Sequence, residues 1–258
     1  MNLQTLPGLF ISHGSPMLAL NPEQVGPALE RLSVNLPRPE AIIVMSAHWE
    51  SNALEVNTGI RPETWHDFRG FPPQLYQLRY PAPGQPELAE QILGLLSEAG
   101  FSAYANNSRP RDHGVWMPLL HMYPDADIPV IEISLPINMT AHDIYKIGQT
   151  LAHLREQQVL LIGSGSITHN LRELDRTGLS NIVPEWASTF RNYVVSKLAH
   201  SDYEAVLDWP SIPYLERNHP TLEHFAPIFF AMGTGTRFSL VHSSFSMGSL
   251  GMDIYRFD

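Results

Sequence analysis

The sequence predicts an α/β fold: a single domain over residues 1–258, with a mostly parallel central sheet flanked by helices and a C-terminal β hairpin. Short apolar runs of strand length, each followed by polar turn residues, are the first observation behind this prediction. Helical segments between these runs are the second, because strands that alternate with helices form parallel sheets. The composition, 43% hydrophobic and 16% charged, supports one sizeable core.

Four apolar runs are predicted strands: residues 8–11, 41–45, 128–135 and 159–162. Each is rich in β-branched or aromatic residues and has the length of a strand buried in a parallel sheet. The tail, residues 236–258, contains two further strand-like stretches, RFSLVHS and MDIYRFD, joined by the glycine-rich SFSMGSLG. These two stretches predict the C-terminal hairpin.

Three segments have helical character. In residues 87–99 the apolar side chains recur on one helix face, and Gly100 follows as a C-cap. Residues 141–155 show the same period after Thr140, and a third helix is predicted from Pro184 to about Leu198. Helices therefore alternate with the predicted strands, as the α/β class requires.

A proline-rich segment, residues 61–84, interrupts this alternation. It contains five prolines and five of the chain's tryptophan, tyrosine and phenylalanine residues, so it is too apolar for a linker and too rich in proline for regular structure. Two interpretations stay open. The segment folds over a functional site as a lid or wall, or it is an ordered loop that covers a sheet edge.

The composition excludes several classes of protein. Without cysteine the chain has no disulfide, cysteine-ligated metal or thiol nucleophile. A formal net charge of −10 argues against nucleic acid as a partner, because phosphate binding depends on lysine and arginine. No stretch approaches the eighteen apolar residues of a membrane span, and no signal peptide is recognised, so we expect a cytoplasmic protein with no membrane partner.

Histidine is over-represented, with 12 residues, and three of them follow predicted strands. His13 comes after the first run, His48 after the second and His169 after the run at 159–162. Ligands of open α/β sheets bind at the carboxyl ends of the strands, where the following loops converge. A lone histidine in such a place is usually structural, but three together predict a shared metal site.

Three further histidines are candidates. His224 is a fourth candidate ligand, on the first turns of a predicted helix, where Glu223 would point about 100° away and not share the ion. His219 is the alternative ligand, and spacing favours neither. His113, in a loop before an apolar helix, is a candidate acid–base group or an exposed loop residue. The following are assigned as structural: His121, His142, His153, His200 and His242.

Two other motifs are weak. The glycine-containing stretch at 163–168 lacks the third glycine of a dinucleotide fingerprint and the lysine of a phosphate-binding P-loop. Ser15 is not flanked by glycines as the nucleophile of an α/β hydrolase would be. The sequence therefore argues against a nucleotide-binding enzyme and a serine hydrolase.

Eight motifs, in order from about residue 9 to residue 250, resemble those of a known family. They are ISHGSPM at 11, VMSAHW at 44, WHDFRGFP at 65, YPAPG at 80, DHGVW at 112, YPDADIP at 123, GSGSITHN at 163 and EH at 223. The chain is identified by them as similar to the 4,5-DOPA extradiol dioxygenase family, a branch of the class III, LigB-like ring-cleaving enzymes. The match is close to the bacterial zinc-containing members of this family.

The resemblance implies a single α/β domain in which His13, His48 and His224 hold one divalent metal. It implies two open roles for His169, a fourth ligand or the acid–base residue. His113 matches a histidine outside the metal shell, assigned to substrate contact or proton transfer. His66, in the motif at 65, is assigned to substrate binding.

The implied reaction cleaves a catechol such as DOPA beside its diol, with O2 as co-substrate. We expect the protein to carry zinc as purified, because imidazole ligands accept zinc as well as iron. Zinc has no redox chemistry, so we expect ring cleavage to need Fe(II). Two alternatives are kept. One is a zinc hydrolase, because an all-histidine site suits a zinc-activated water; the other is a non-enzymatic binding protein of the same fold.

Overall fold

A computed structural model describes residues 4–177 and 182–258 of the chain. Its strands, in chain order, are β1 (Gly8–Ser12), β2 (Ala41–Ser51), β3 (Leu54–Asn57), β4 (Ala103–Asn106), β5 (Val130–Pro136), β6 (Val159–Gly165), β7 (Phe238–His242), β8 (Phe245–Ser246), β9 (Leu250–Gly251) and β10 (Ile254–Phe257). Its α-helices are α1 (Val25–Val34), α2 (Pro86–Glu98), α3 (His113–Met122), α4 (Ala141–Leu151), α5 (Glu185–Ala199), α6 (Glu204–Leu207), α7 (Leu215–Asn218) and α8 (Pro227–Gly233). Short 3-10 helices cover Pro16–Ala19, Pro73–Gln77, Ala152–Gln157 and Trp209–Ser211.

One eight-stranded sheet forms the centre of the fold, in the order β4-β3-β5-β2-β6-β1-β10-β7. Its central strands β5, β2, β6 and β1 are all parallel, which confirms the predicted α/β class. Antiparallel pairs join β3 to β5, β1 to β10 and β10 to β7, so the whole sheet is mixed. The predicted C-terminal hairpin is confirmed by the β7–β10 pair, and the small β8–β9 hairpin occupies the segment between them.

The central strands β1, β2, β5 and β6 are buried on both faces because helices cover both sides of the sheet. In β2, Ile43 and Met45 contribute to a core shared with α2, α4, α5 and α8. Their neighbours Ile42 and Val44 contribute to a second core shared with α1 and α3. This alternation is the two-residue period of a strand, with both faces apolar, as is typical of parallel sheets.

The predicted helices agree with the structure to within a few residues, except that the second is shorter. A capping box begins α4, since Thr140 Oγ1 accepts from the backbone N–H of Asp143 and the Asp143 carboxylate accepts from that of Thr140. The predicted helix 141–155 leaves α-geometry at Leu151 and continues as a 3-10 turn. Among the described residues, no helix combines the length and apolarity needed to cross a membrane.

The packing of α4 on α8 depends on glycine. A Cβ atom at Gly148 of α4 would lie 2.1 Å from the carbonyl oxygen of Phe230 on α8. We expect Gly148→Ala to lower the free energy of unfolding by about 1–3 kcal/mol, because overpacking forces the helices apart. Gly94 of α2 is a matched control, since its added Cβ would have no neighbour within 4 Å. Gly94→Ala should raise stability by up to about 1 kcal/mol in the same urea titration; equal effects of the two substitutions would contradict this account.

Candidate metal centre

Imidazoles from five separate segments lie together at the carboxyl edge of the parallel strands. The ring centroids of His13 and His48 are 4.9 Å apart, and that of His224 lies 5.3 Å and 4.9 Å from them. His113 lies 5.4 Å from His13 and 4.1 Å from His48, and His169 stacks on His224 at 3.5 Å. The structure thus brings the three histidines that follow strands together with two that are distant from them in sequence.

The strands place His13 and His48. His13 directly follows β1, and its backbone N–H donates to the Gly165 carbonyl at the end of β6. The predicted strand at 41–45 continues to Ser51, but through an irregular stretch: Met45 and Glu50 lie opposite residues of β5 that are two positions apart. His48 lies within this irregularity. A bulge of this kind re-aims a side chain, here toward the neighbouring strand ends.

The local structure at His113 and His224 differs from the prediction. His113 is the first residue of α3, with Asp112 as its N-cap, and not a loop residue. His224 lies in a turn, and the helix predicted there, α8, begins only at Pro227. The prediction that Glu223 points away from the site around a helix was therefore wrong. Glu223 Oε1 lies 2.9 Å from Nδ1 of His224.

Hydrogen bonds fix which ring nitrogen of His13 carries the proton. The Ser164 hydroxyl donates to the Gly114 carbonyl oxygen, so its oxygen is free to accept. Nδ1 of His13 lies 3.0 Å from that oxygen and must donate to it. A neutral imidazole has one N–H, which leaves Nε2 of His13 as an unprotonated acceptor that faces the cluster.

Carboxylates hold Nδ1 of two other imidazoles by hydrogen bonds and lie near Nδ1 of a third. Glu223 accepts from Nδ1 of His224, as the 2.9 Å contact indicates. Asp67 Oδ1 lies 2.9 Å from Nδ1 of His113, and its Oδ2 lies 3.5 Å from Nδ1 of His48. Burial opposes ionisation of Asp67, but the hydrogen bonds and charge of His113 and the charge of His48 outweigh it and lower the pKa to about 2. The imidazoles of His224 and His113 therefore direct Nε2 away from these carboxylates.

His13 and His48 approach each other at the spacing of two metal ligands. Their Nε2 atoms are 3.1 Å apart, and Nδ1 of His13 is held by Ser164. Burial, reinforced by neighbouring imidazoles, lowers the pKa of His13 well below its usual value and that of His48 to about 3, so both rings are neutral at neutral pH and each keeps one N–H. Since Nε2 of His13 is an acceptor, an Nε2–H of His48 can donate to it, and an ion can take the place of that proton. Two ligands of one tetrahedral zinc have their nitrogens about 3.4 Å apart, and the donor set therefore fits a metal ion.

Within the described residues, two groups of side chains have ligand atoms within 4.8 Å of one another. One consists of His13, His48 and His113, and the other of His169, Glu223 and His224. The two groups are in contact, because the His224 ring of the second lies against the His13 and His48 rings of the first. The region as a whole is therefore a single concentration of metal-ligating side chains and not two separate sites.

A comparison with known families decides between the possible functions of such a site. Residues 7–258 match the family described as the catalytic LigB subunit of aromatic ring-opening dioxygenase. The chain belongs to this LigB family. It is accordingly a metal-dependent extradiol dioxygenase, and the resemblance found in the sequence motifs is confirmed.

Relatives of the dioxygenase match along nearly its whole length. It is 40% identical over 256 residues to the 4,5-DOPA dioxygenase extradiol of Beta vulgaris, with 96% of this chain and 95% of that protein covered. It is 36% identical over 260 residues to the protein of the same name from Escherichia coli strain K12, with 98% and 94% covered. The crystal structure of an uncharacterized E. coli K12 protein superposes with a TM-score of 0.83 at 29% identity, covering 98% of this chain and all of the other.

Two of the predicted site histidines of the dioxygenase lie outside the cluster of imidazoles. His219, the alternative ligand, is buried between Phe190 and Phe225, and its Nε2 lies 3.0 Å from the Ile167 carbonyl oxygen. Burial lowers the pKa of His219 to about 4, which keeps it neutral. His66 directs Nε2 to a backbone carbonyl, that of Leu78, at 3.1 Å.

The proline-rich segment (residues 61–84) borders the cluster of imidazoles, as the first of its two interpretations predicts. The Phe68 ring lies edge-on to His113, with centroids 5.7 Å apart, and also contacts Trp116. The Trp116 indole N–H donates to the Trp65 carbonyl oxygen at 2.9 Å. The segment is thus attached to α3 beside the imidazoles. It gives the site an aromatic side suited to a flat ring.

Arg109 of the dioxygenase holds the backbone at His48. Its Nη2 donates to the His48 carbonyl oxygen at 2.8 Å and to the Asp112 carboxylate at 3.2 Å. The guanidinium lies over the rings of Trp49 and Trp65, 5.2 Å and 4.8 Å from their centroids. Sequence reasoning missed Arg109, Asp67 and Ser164. Asp67 and Ser164 lie within two of the motifs that carry the resemblance, but the bonds of Asp67 to His113, of Ser164 to His13 and of Arg109 to His48 join segments that are far apart in the chain, and no local pattern marks them.

Proposed function

We propose that this dioxygenase cleaves the ring of a catechol beside its diol, with DOPA as substrate and 4,5-seco-DOPA as product. The relatives from Beta vulgaris and E. coli, at 40% and 36% identity, carry the name 4,5-DOPA dioxygenase extradiol. Both oxygen atoms of O2 enter the product, so the reaction needs no other oxidant. The observation that carries the proposal is the cluster of imidazoles at the carboxyl edge of the parallel strands, where the rings of His13, His48 and His224 lie 4.9 to 5.3 Å apart.

His13, His48 and His224 are the proposed ligands. Imidazoles that bind one tetrahedral zinc ion at about 2.1 Å have ring centroids about 5 Å apart. The three separations among these rings, 4.9, 5.3 and 4.9 Å, fit this spacing. Their ligation leaves room for a catechol and O2, as an oxygenase site requires.

His169 and His113 are the proposed acid–base groups. The 3.5 Å stack of His169 on His224 and the 4.1 Å separation of His113 from His48 are both shorter than the spacing of two ligands. This favours acid–base work over a fourth ligand for His169. Burial lowers the pKa of His169 to about 4, so its ring is neutral and able to accept a proton.

Fe(II) is the proposed catalytic metal, with zinc present as purified. Held by His13, His48 and His224, Fe(II) would supply the redox chemistry with O2 that ring cleavage requires. With three neutral imidazoles as ligands, the site would keep the full charge of the ion, which favours an anionic catecholate. His113, held at Nδ1 by Asp67, would take the proton of a catechol hydroxyl at Nε2.

Other assignments stay predictions. The Phe68 ring contacts both His66 and His113, with centroids 5.7 Å apart in each pair. The proposed role of His66 in substrate binding rests on this proximity to His113. The cytoplasmic location rests on the sequence composition alone.

Reconstitution of the metal tests the proposal. The purified protein is stripped with a chelator, loaded anaerobically with Fe(II), and mixed with DOPA and O2. We expect loss of ring absorbance with uptake of one O2 per DOPA, and no ring cleavage by a matched Zn-loaded sample. Fe(II)-loaded protein that leaves both DOPA and caffeate unconsumed would contradict it. Ester or amide turnover by the Zn-loaded sample without O2 uptake would favour the zinc hydrolase instead. Binding of a catechol without any turnover would favour the non-enzymatic binding protein.

A further inference from the structure

A buried histidine outside the cluster of imidazoles is bonded to the segment that carries His169. His219 is 3% exposed, and its ring lies 5.3 Å from that of Phe190 and 5.1 Å from that of Phe225, centroid to centroid. Its Nε2 lies 3.0 Å from the Ile167 carbonyl oxygen. A carbonyl oxygen can only accept, so the imidazole must donate from Nε2. His219 therefore holds a backbone atom two residues before His169.

The imidazole is an unfavourable side chain for this aromatic pocket. Nδ1 of His219 is buried, and none of the described residues gives it a hydrogen bond. A buried nitrogen without a partner lowers stability, whereas leucine or phenylalanine would fill the same place without that loss. The imidazole differs from these apolar side chains by the one bond that it donates. The contribution of His219 is therefore its bond to Ile167.

A second hydrogen bond joins the same two segments. The backbone N–H of His169 donates to the Asn218 carbonyl oxygen at 3.0 Å. Together with the bond from His219 to Ile167, it forms a two-bond clamp on the segment that carries His169. The clamp is fixed to α5, because the Asn218 side chain donates to the Trp186 carbonyl oxygen at 3.1 Å. The backbone at His169 is thus held against a helix that packs in the core.

The clamp determines where the His169 ring lies. This ring stacks on His224 with centroids 3.5 Å apart and planes 8° from parallel. Among the described residues, that stack and the backbone bond are its contacts, whereas His224 and His113 each have Nδ1 bonded to a carboxylate. Flat rings at 3.5 Å are in van der Waals contact, so a shift of the backbone must change the stack.

We propose that His219 is a positioning residue, which sets the place of the His169 imidazole through its bond to Ile167. The acid–base role of His169 rests on the proposed function. The position of its ring does not, and a crystal structure of the protein as purified, without catechol, can measure it.

His219→Leu is the informative substitution, because it removes the donor and keeps an apolar side chain in the pocket. We expect the His169 ring to leave its stack on His224. The kcat of the Fe(II)-loaded protein for DOPA should fall about 10²-fold, as is typical when a catalytic group is misplaced by about 1 Å. The KM for DOPA and the Kd for Zn²⁺ should stay unchanged, a split that a general loss of stability would not produce.

His219→Gln should restore both the stack and kcat. The amide nitrogen of glutamine reaches about as far as Nε2 of histidine and can donate to the Ile167 carbonyl oxygen. His121→Leu is the matched control, since Nε2 of His121 also lies 3.0 Å from a backbone carbonyl oxygen, that of Leu18. This control should lose stability but keep the stack of His169 on His224 and the wild-type kcat.

Persistence of either the 3.5 Å stack or the wild-type kcat in His219→Leu would overturn the proposal, as would a His219→Gln protein with the same defects as His219→Leu. If the leucine variant does not fold, His219→Asn decides by the same two measurements, because its amide matches Nδ1 and ends short of the Ile167 carbonyl oxygen. A ring displaced in His219→Leu and restored in His219→Gln, in a protein whose wild type leaves DOPA intact, would uphold the positioning role and reject the proposed function alone.

Discussion

Replacing His48 with alanine is expected to abolish stoichiometric metal binding. Its Nε2 lies 3.1 Å from that of His13, and its removal takes away one of the three proposed ligands. The loss of affinity should exceed the about 10–100-fold caused by losing only a partner of a ligand. Isothermal titration with Zn²⁺ and metal analysis of the purified variant would measure it. Circular dichroism would show whether the fold is kept.

The control for this experiment is His142→Ala, because His142 is exposed and pairs with Glu204 at the surface. It should bind one metal ion per chain with the wild-type Kd. A His48→Ala protein that keeps one tightly bound ion per chain would remove His48 from the ligand set. The group of His13, His48 and His113 would be excluded by the same result, because it also contains His48.

Replacing His113 with alanine is expected to keep the metal and lose turnover. The His113 ring is close to His48, with centroids 4.1 Å apart, but its proposed role is proton transfer and not ligation. Removing a general acid–base group costs about 10²–10⁴-fold in kcat. Steady-state oxygen uptake by Fe(II)-loaded protein would measure this loss, while the Kd for Zn²⁺ is measured in parallel.

The two substitutions form a pair with opposite expectations. Loss of metal in His113→Ala together with retention in His48→Ala would reverse the proposed roles of the two residues. Because removal of His113 also leaves Asp67 without its 2.9 Å partner, the titration is best repeated with His113→Asn, whose amide can still donate toward the carboxylate. Wild-type turnover in both variants at residue 113 would place proton transfer elsewhere, with His169 as the next candidate.

The sequence was sufficient to predict the central fold and three positions of the site. His13, His48 and His169 each follow an apolar run, and parallel strands bring their carboxyl ends to one edge whatever the details of side-chain packing. Local apolar content decides where such strands form, because both of their faces are buried. The positions of these three histidines therefore follow from short-range information in the chain.

Other parts of the site could not be predicted in this way. His224 lies in a turn that packs against β6, where a Cβ at Gly165 would lie 2.1 Å from the His224 carbonyl oxygen. That close approach is a tertiary contact, and no local period marks it. Asp67 belongs to a segment without regular structure, so its direction depends on hydrogen bonds to α3. The family resemblance chose His224 over His219, but geometry was needed to find Asp67.

The proposed ligands are widely spaced along the chain: His13 follows the first strand, His48 lies in the second, and His224 precedes the last helix. An ion bound to all three would act as a cross-link that closes nearly the entire polypeptide into loops. Such closure restricts the unfolded ensemble, and binding to the folded state alone adds stability in proportion to the logarithm of the free metal concentration. Metal supply would then govern the survival of this protein against proteolysis as well as its chemistry.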